Sequence, residues 1–275
     1  LPNPTEANDE HRSSVPLIEL HHATVWRGST CVLQDFSLSI AQNEHVAILG
    51  PNGSGKTTLL KTLSRELRPV ATEGTWVKIL GEEHWNVWAL RKQIGLVSHD
   101  LQHDFNAQVP VTDVVLSGFF SSIGLDDQHR AELQPDQLER ATAVIRLLGL
   151  EPLAQRRYRT LSTGQQRRCL LGRALVHDPH TLVFDEPTSG LDLAAGFDLL
   201  ARVSELVRRG RSLLWVTHHL NDIPREVERV IILKNGVVVA DGAKAEVLRA
   251  DLLSEVYDTA LRLAEVDGHI LAYPA

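Results

Sequence analysis

One run of the chain constrains its fold more than any other. The apolar stretch Val46-Ala47-Ile48-Leu49 passes without a break into Gly50-Pro51-Asn52-Gly53-Ser54-Gly55-Lys56-Thr57. Consecutive apolar residues bounded by turn formers read as a buried strand. The glycines after it let the backbone wrap tightly with its N–H groups turned inward. Leu59, Leu60 and Leu63 then share one face of a helix predicted from Thr57 to about Leu67. A helix N-terminus adds its dipole to the same anion. The spacing Gly50-x4-Gly55-Lys56-Thr57 is the phosphate-loop pattern, and the strand before and the helix after supply its required context. It assigns the backbone of Gly50, Pro51, Asn52, Gly53, Ser54 and Gly55 to phosphate oxygens. Lys56 answers the β- and γ-phosphates of ATP, Thr57 offers a hydroxyl to Mg²⁺, and Thr58 lies near the α-phosphate.

The rest of the chain alternates strands and helices around this loop. Leu17 to Ala41 reads as two strands with a turn near Arg27–Gly28, and Gly74 to Leu80 and Ile94 to Val97 resume strand character. From Val109 to Gly149 the period is helical, and Gly149 suits a C-cap. Thr181–Phe184 and Leu213–Thr217 are apolar strands that end in polar residues, where α/β folds place their sites. Val230–Leu233 and Val237–Ala240 form a hairpin about Asn235–Gly236. The expected class is α/β: a phosphate-loop NTPase core of mixed sheet, an antiparallel N-terminal β subdomain and a helical subdomain insert at about 100–160. Residues 1–16 are expected to be a flexible leader, 17–245 the catalytic domain and 246–275 a helical tail.

A chain of 275 residues with net charge −7 lacks the basic excess of a general nucleic-acid binder. Cys31 and Cys169 make neither a metal spacing nor a disulfide framework, so a reducing compartment is the default. No apolar run reaches the roughly 18–20 residues that span a bilayer. A membrane would be reached through a partner.

Asp185-Glu186 follows the strand Thr181–Phe184. Two adjacent acids are usually solvated surface, but here a buried strand delivers them together. Asp185 suits Mg²⁺, and Glu186 suits the water that attacks the γ-phosphate.

Leu161-Ser162-Thr163-Gly164-Gln165 resembles the signature of ABC ATPases, usually Leu-Ser-Gly-Gly-Gln, and the other motifs fall in that family's order. The resemblance runs from about Leu17 to Gly242. It implies that Trp26 stacks on adenine, that Ser162, Gly164 and Gln165 meet the ATP held by an opposite cassette, and that Asp192 lies in the loop coupling two sites. It also implies that His218 contacts the γ-phosphate. Two positions depart from the family. Thr163 replaces a glycine, and His99 stands where a glutamine contacts Mg²⁺, with Gln102 nearby in sequence. Ile94–Ser98, Val115–Phe120, Leu161–Gln165 and Val216–His219 resemble the branch named for molybdenum transport. The tail Glu246–Pro274 resembles metal-chelate importer ATPases.

The resemblance implies a Mg²⁺-dependent ATPase that pairs with a second copy, because each motif occurs once. It is expected to power an importer of a metal, oxyanion or metal chelate from the cytoplasmic face through permease subunits, with Phe119 and Phe120 as candidate contacts, although two adjacent phenylalanines are more often core. The alternative is a soluble ABC ATPase that remodels another partner. Those acting on ribosomes usually carry two cassettes, and those acting on DNA ends a long coiled coil. Neither feature is present in this sequence.

Overall fold

The computed structural model describes residues 15–98, 100–105 and 108–275, so position 99 lies outside the described residues. The chain divides into two compact units, one of residues 1–87 with 212–275 and one of residues 88–211.

In the first unit β1 (Pro16–Arg27) pairs with β2 (Thr30–Ala41) on one side and β4 (Trp76–Ile79) on the other, both antiparallel. Gly28, at φ 61°, turns the chain between β1 and β2. The alternation of buried and exposed residues along β2 is that of a sheet with one wet face. β3 (His45–Leu49) belongs to a second sheet. It runs parallel to β7 (Ser212–Thr217) and to β8 (Arg229–Lys234), and β9 (Val237–Ala243) closes that edge antiparallel to β8. Val46–Leu49, Leu213–Val216 and Val230–Leu233 are buried throughout, which is why these strands read as apolar runs rather than alternating ones. Asn235 and Gly236 take φ 53° and 77° in the β8–β9 turn, the pair of left-handed residues that a two-residue hairpin demands.

In the second unit β5 (Ile94–Ser98) and β6 (Thr181–Asp185) pair in parallel. Between them run the helices Val111–Leu116, Asp127–Glu132, Pro135–Leu147 and Thr163–Leu175, and Leu193–Arg208 follows β6. Val111, Val114, Val144, Ile145 and Cys169 lie on their buried faces, and Leu148 and Tyr158 are buried in the same unit. Gly149, at φ 62°, ends the Pro135–Leu147 segment as its pattern suggested. Close packing is forced at Gly118, where a Cβ would stand 2.3 Å from the Arg173 carbonyl oxygen.

Three boundaries differ from the sequence reading. The helix after the glycine loop spans Lys56–Leu63 and stops short of Leu67, because Arg65 turns left-handed at φ 62°. Arg65 also spends its guanidinium on the carbonyls of Val77 and Glu83. β1 already begins at Pro16, inside the span assigned to the leader. The tail is not helical throughout. After the short helices Lys244–Val247 and Ala250–Val256 it forms a hairpin, β10 (Leu261–Val266) with β11 (His269–Pro274). Asp267 and Gly268, at φ 50° and 78°, make its turn, an Asp-Gly signal that favours hairpins.

Candidate nucleotide-binding site

The glycine loop leaves the end of β3 and reverses in six residues. A Cβ on Gly50 would lie 2.1 Å from the Leu233 carbonyl oxygen, and one on Gly55 2.9 Å from the Leu33 side chain. The Leu233 backbone excludes a side chain at Gly50, and Gly55 starts the Lys56–Leu63 helix at φ 105°, a conformation strained for any other residue. No side chain caps that helix, so its first N–H groups keep their directions for an anion. Ser54 and Lys56 are buried, Thr57 is half-buried, and Asn52 and Gly53 are exposed at the loop tip. Lys56 Nζ donates to the carbonyls of Gly50 at 2.8 Å and Pro51 at 3.0 Å. Its charge is thus folded back over the concave side of its own loop. Ser54 Oγ is buried with no hydrogen-bond partner.

The loop is backed by the β8–β9 turn. Gly236 N–H donates to the Ser54 carbonyl at 3.0 Å. Its own φ and the Val32 carbonyl, 2.0 Å from a Cβ built there, leave room for glycine only. One residue past β7, His218 is half-buried, with its ring 3.8 Å from that of His219. Thr217 Oγ1 accepts from His219 N–H at 3.0 Å and fixes this turn. The Tyr257 hydroxyl donates to the His218 carbonyl at 3.3 Å. Burial pushes that phenol's pKa up. Trp26, near the end of β1, is 47% exposed and so accessible to a ligand.

In the second unit Asp185 ends β6 and Glu186 follows it at φ 46°. A left-handed glutamate costs about 1–2 kcal/mol, the kind of local strain that clusters at functional sites. Ser162 caps the Thr163–Leu175 helix through a reciprocal pair: its hydroxyl accepts from Gln165 N–H at 3.3 Å, and Gln165 Oε1 accepts from Ser162 N–H at 3.1 Å. Gly164 is held against the neighbouring helix, where a Cβ would meet Ala195 Cβ at 2.6 Å. Asp192 caps the Leu193–Arg208 helix by accepting from Ala195 N–H at 2.8 Å.

Gln102 is buried, and its amide donates to Gln166 at 2.9 Å. Gln166 in turn donates to the carbonyls of Tyr158 and Leu161. That residue braces the turn before the Thr163–Leu175 helix. Phe119 is buried edge-on against His177 at 5.2 Å, and Phe120 packs on His129 at 4.5 Å. Phe119 is a core residue, the reading favoured for two adjacent phenylalanines over a partner contact. Among the described residues no helix is long and apolar enough to cross a membrane.

Three residues of the first unit carry weight that their sequence context did not announce. Gly236 was legible as a turn former but not as a backing for the glycine loop. Lys234 Nζ donates to the Glu255 carbonyl at 2.8 Å and to the Asp258 carboxylate at 2.9 Å, tying β8 to the tail. Tyr257 had no motif around it.

Comparison with known proteins gives a consistent result. Residues 33–189 match the family model described as ABC transporter. The chain is 31% identical over 262 residues to the ferric enterobactin transport ATP-binding protein of Escherichia coli (strain K12), covering 95% of this chain and 93% of the relative. It is 34% identical over 249 residues to the hemin import ATP-binding protein of Rhodopseudomonas palustris (strain ATCC BAA-98 / CGA009), covering 86% and 87%. Its fold matches that of a metal-chelate type ABC transporter in an inward-facing conformation, with TM-score 0.74, 21% identity, and coverage of 94% and 96%.

Proposed function

The chain belongs to the ABC transporter family as an ATP-binding, ATP-hydrolysing cassette, and from that premise we propose that it powers import of a metal chelate through membrane-spanning permease subunits. The observation that carries the ATPase reading is the glycine loop: a tight turn that has no room for a side chain at Gly50, an uncapped helix start, a buried lysine and an orphaned Ser54 hydroxyl. The names of the two relatives, an iron–siderophore and a hemin transporter, support the chelate class of cargo. The cassette would lie on the inner face of the membrane, held there by the permease.

Each residue then has one task. Trp26 stacks on adenine. The loop from Gly50 to Gly55 donates its N–H groups to the phosphates, Lys56 swings from its two carbonyls to the β- and γ-phosphates, and Thr58 approaches the α-phosphate. Thr57 and Asp185 carry a hydroxyl and a carboxylate, donors of the hard-oxygen kind suited to Mg²⁺, and by the family resemblance they would hold it; the cation would neutralise phosphate charge. His99, at the position of the family's glutamine, lies outside the described residues, and its role toward Mg²⁺ rests on the resemblance. Glu186 orients the attacking water, and His218 holds the γ-phosphate. Ser162, Gly164 and Gln165 present a helix N-terminus to the ATP of a second copy, and Asp192 couples the two sites.

Glu186→Gln tests this division of labour, because it keeps the shape and removes the charge. It should bind ATP like the parent, release phosphate at least ~100-fold more slowly, and accumulate as a dimer in ATP and Mg²⁺ by size-exclusion chromatography with light scattering. A variant that stays monomeric and turns over normally sinks the assignment. The cargo class is tested by uptake of ⁵⁵Fe-labelled siderophore and of hemin in cells lacking the chain. Unchanged uptake of both removes the chelate reading.

A further inference from the structure

We propose that Gln102 and Gln166 are positioning residues whose paired amides tie the strand end bearing Asp185 and Glu186 to the turn that presents Ser162. A cassette's own acids and the surface it offers to a second copy are then placed together. The proposal rests on the reading of Ser162 as a contact to the ATP of that second copy. β5 and β6 are parallel, and Ser98, the last residue of β5, is the ladder partner of Asp185. Four positions on, Gln102 lies in the short helix Asp100–Asp104, buried at 5% exposure. Its Nε2 donates to Gln166 Oε1 at 2.9 Å. Gln166 stands near the start of the Thr163–Leu175 helix, where its backbone N–H donates to the Ser162 carbonyl at 2.9 Å. Its side-chain nitrogen donates to the carbonyls of Tyr158 at 3.2 Å and Leu161 at 3.3 Å. Those two carbonyls bracket the residues that lead into Ser162. A chain of bonds thus runs from the Ser98–Asp185 rung to the N-cap of the Thr163–Leu175 helix, all within the second unit.

The chemistry of the relay demands an amide at both positions. Gln166 can make its three side-chain bonds in one orientation only. Turned over, its oxygen would face two carbonyl oxygens and its nitrogen the Gln102 nitrogen. A glutamate cannot donate, and a hydrocarbon side chain neither donates nor accepts. A second strut runs beside the first. Arg159 Nε donates to the Phe105 carbonyl at 2.9 Å, and the rings of Phe105 and Tyr158, both fully buried, lie 5.3 Å apart. That strut keeps the segment against the turn when an amide is removed, so such a change loosens the placement of Ser162 without releasing the segment. Gln102 Oε1 is buried with no hydrogen-bond partner. An unpaired buried acceptor is destabilising, and an apolar side chain of similar size would remove that penalty. Gln102 is therefore a residue whose single side-chain bond serves the turn more than the stability of the fold.

The test uses Gln102→Leu and Gln166→Met in the full chain, singly and together, with Ser162→Ala as a reference. Each is measured for steady-state phosphate release, affinity for a fluorescent ATP analogue and melting temperature. On the Glu186→Gln background, light scattering in ATP and Mg²⁺ gives the dimer dissociation constant. Gln102→Leu should lower kcat about five- to tenfold and raise the dimer dissociation constant by a similar factor, the size of one net hydrogen bond. Affinity for the analogue should stay within about twofold, because the glycine loop belongs to the other unit. The melting temperature should not fall, because the orphaned oxygen is gone. Gln166→Met should lower kcat at least as much, and the double variant should lose no more than about 1.5-fold beyond it, since both act through one chain of bonds. Unchanged kcat and dimerisation in Gln102→Leu, or losses that multiply in the double variant, overturn the proposal. So does a lower kcat accompanied by a lower melting temperature and weaker analogue binding, the pattern of a general loss of fold. If Ser162→Ala itself hydrolyses ATP and dimerises like the parent, the reading of Ser162 fails instead, and that arm tells the two failures apart.

Discussion

Gly28 and Gly236 both sit in hairpin turns of the first unit at positive φ, 61° and 77°, yet replacing them by alanine should have very different costs. At Gly28 nothing lies within 4 Å of the added Cβ. Gly28→Ala therefore pays only for a left-handed alanine, about 1 kcal/mol. At Gly236 the same conformational cost applies, and the Cβ also lands 2.0 Å from the Val32 carbonyl oxygen. Real Cβ atoms essentially never approach closer than 3.0 Å, so β2 and the turn must part by about 1 Å. Overpacking of that kind adds roughly 1–3 kcal/mol, giving a total near 3 kcal/mol and a difference between the variants of about 2 kcal/mol. The movement also strains the Gly236 N–H bond to the Ser54 carbonyl. Gly236→Ala should therefore weaken ATP binding by about tenfold while Gly28→Ala leaves it unchanged. Urea unfolding followed by tryptophan fluorescence gives the stabilities, and titration with a fluorescent ATP analogue gives the affinities. If the two variants differ by less than about 0.5 kcal/mol and bind ATP equally, the β8–β9 turn does not back the glycine loop as argued.

Lys56→Ala removes the charge now held by the Gly50 and Pro51 carbonyls, and ATP affinity measured by calorimetry should fall at least ~100-fold, with phosphate release lost; parent-level hydrolysis would refute the role of Lys56. His177 titrates below its ordinary value of 6.5, chiefly because it is desolvated and then because Lys92 lies near. Below pH 6.5 the unfolded chain takes up that proton before the folded one does, so stability is fully present above 6.5 and falls as the pH drops toward the lower folded value. The urea midpoint of the parent should accordingly drop more between pH 7.5 and 5.5 than that of His177→Leu, and equal drops would show that His177 is not a source of the acid sensitivity.

What the sequence made legible was local chemistry with a fixed spacing. The glycine loop, the acidic pair after an apolar strand and the Asn-Gly turn each need only a few neighbouring residues to be read, and each element lies where that reading put it. The tail was misread because the helical character of Lys244–Val256 was carried across Asp267–Gly268, although Leu261-Arg-Leu263 and His269-Ile270 flank a strong hairpin turn. The end of the Lys56–Leu63 helix was misjudged for a different reason. Leu67 continues the apolar pattern, but Arg65 finds backbone carbonyls near β4 that only the folded unit supplies. Tyr257 was illegible on principle. Its hydroxyl donates to the His218 carbonyl, 39 residues away in sequence, and no local pattern encodes that contact.

The departure at Thr163 looks different once the packing is considered. The family signature carries two adjacent glycines, and a side chain at the first could crowd a bound phosphate. The two positions make unequal demands on this fold. Thr163 is exposed on the first turn of its helix, whose N-terminal end is capped by Ser162 and Gln165, so its side chain displaces nothing within the unit. Gly164 is different, because a Cβ there would stand 2.6 Å from Ala195 Cβ on the Leu193–Arg208 helix. That helix is capped by Asp192, whose carboxylate already accepts from Ala195 N–H. A residue larger than glycine at 164 would push on the same turn that Asp192 holds, and so on the loop assigned to coupling between cassettes. The second glycine is thus required by helix packing before any nucleotide arrives, whereas the first is free to vary wherever the ligand leaves room. A threonine at the first position with glycine kept at the second is the substitution pattern that this packing permits.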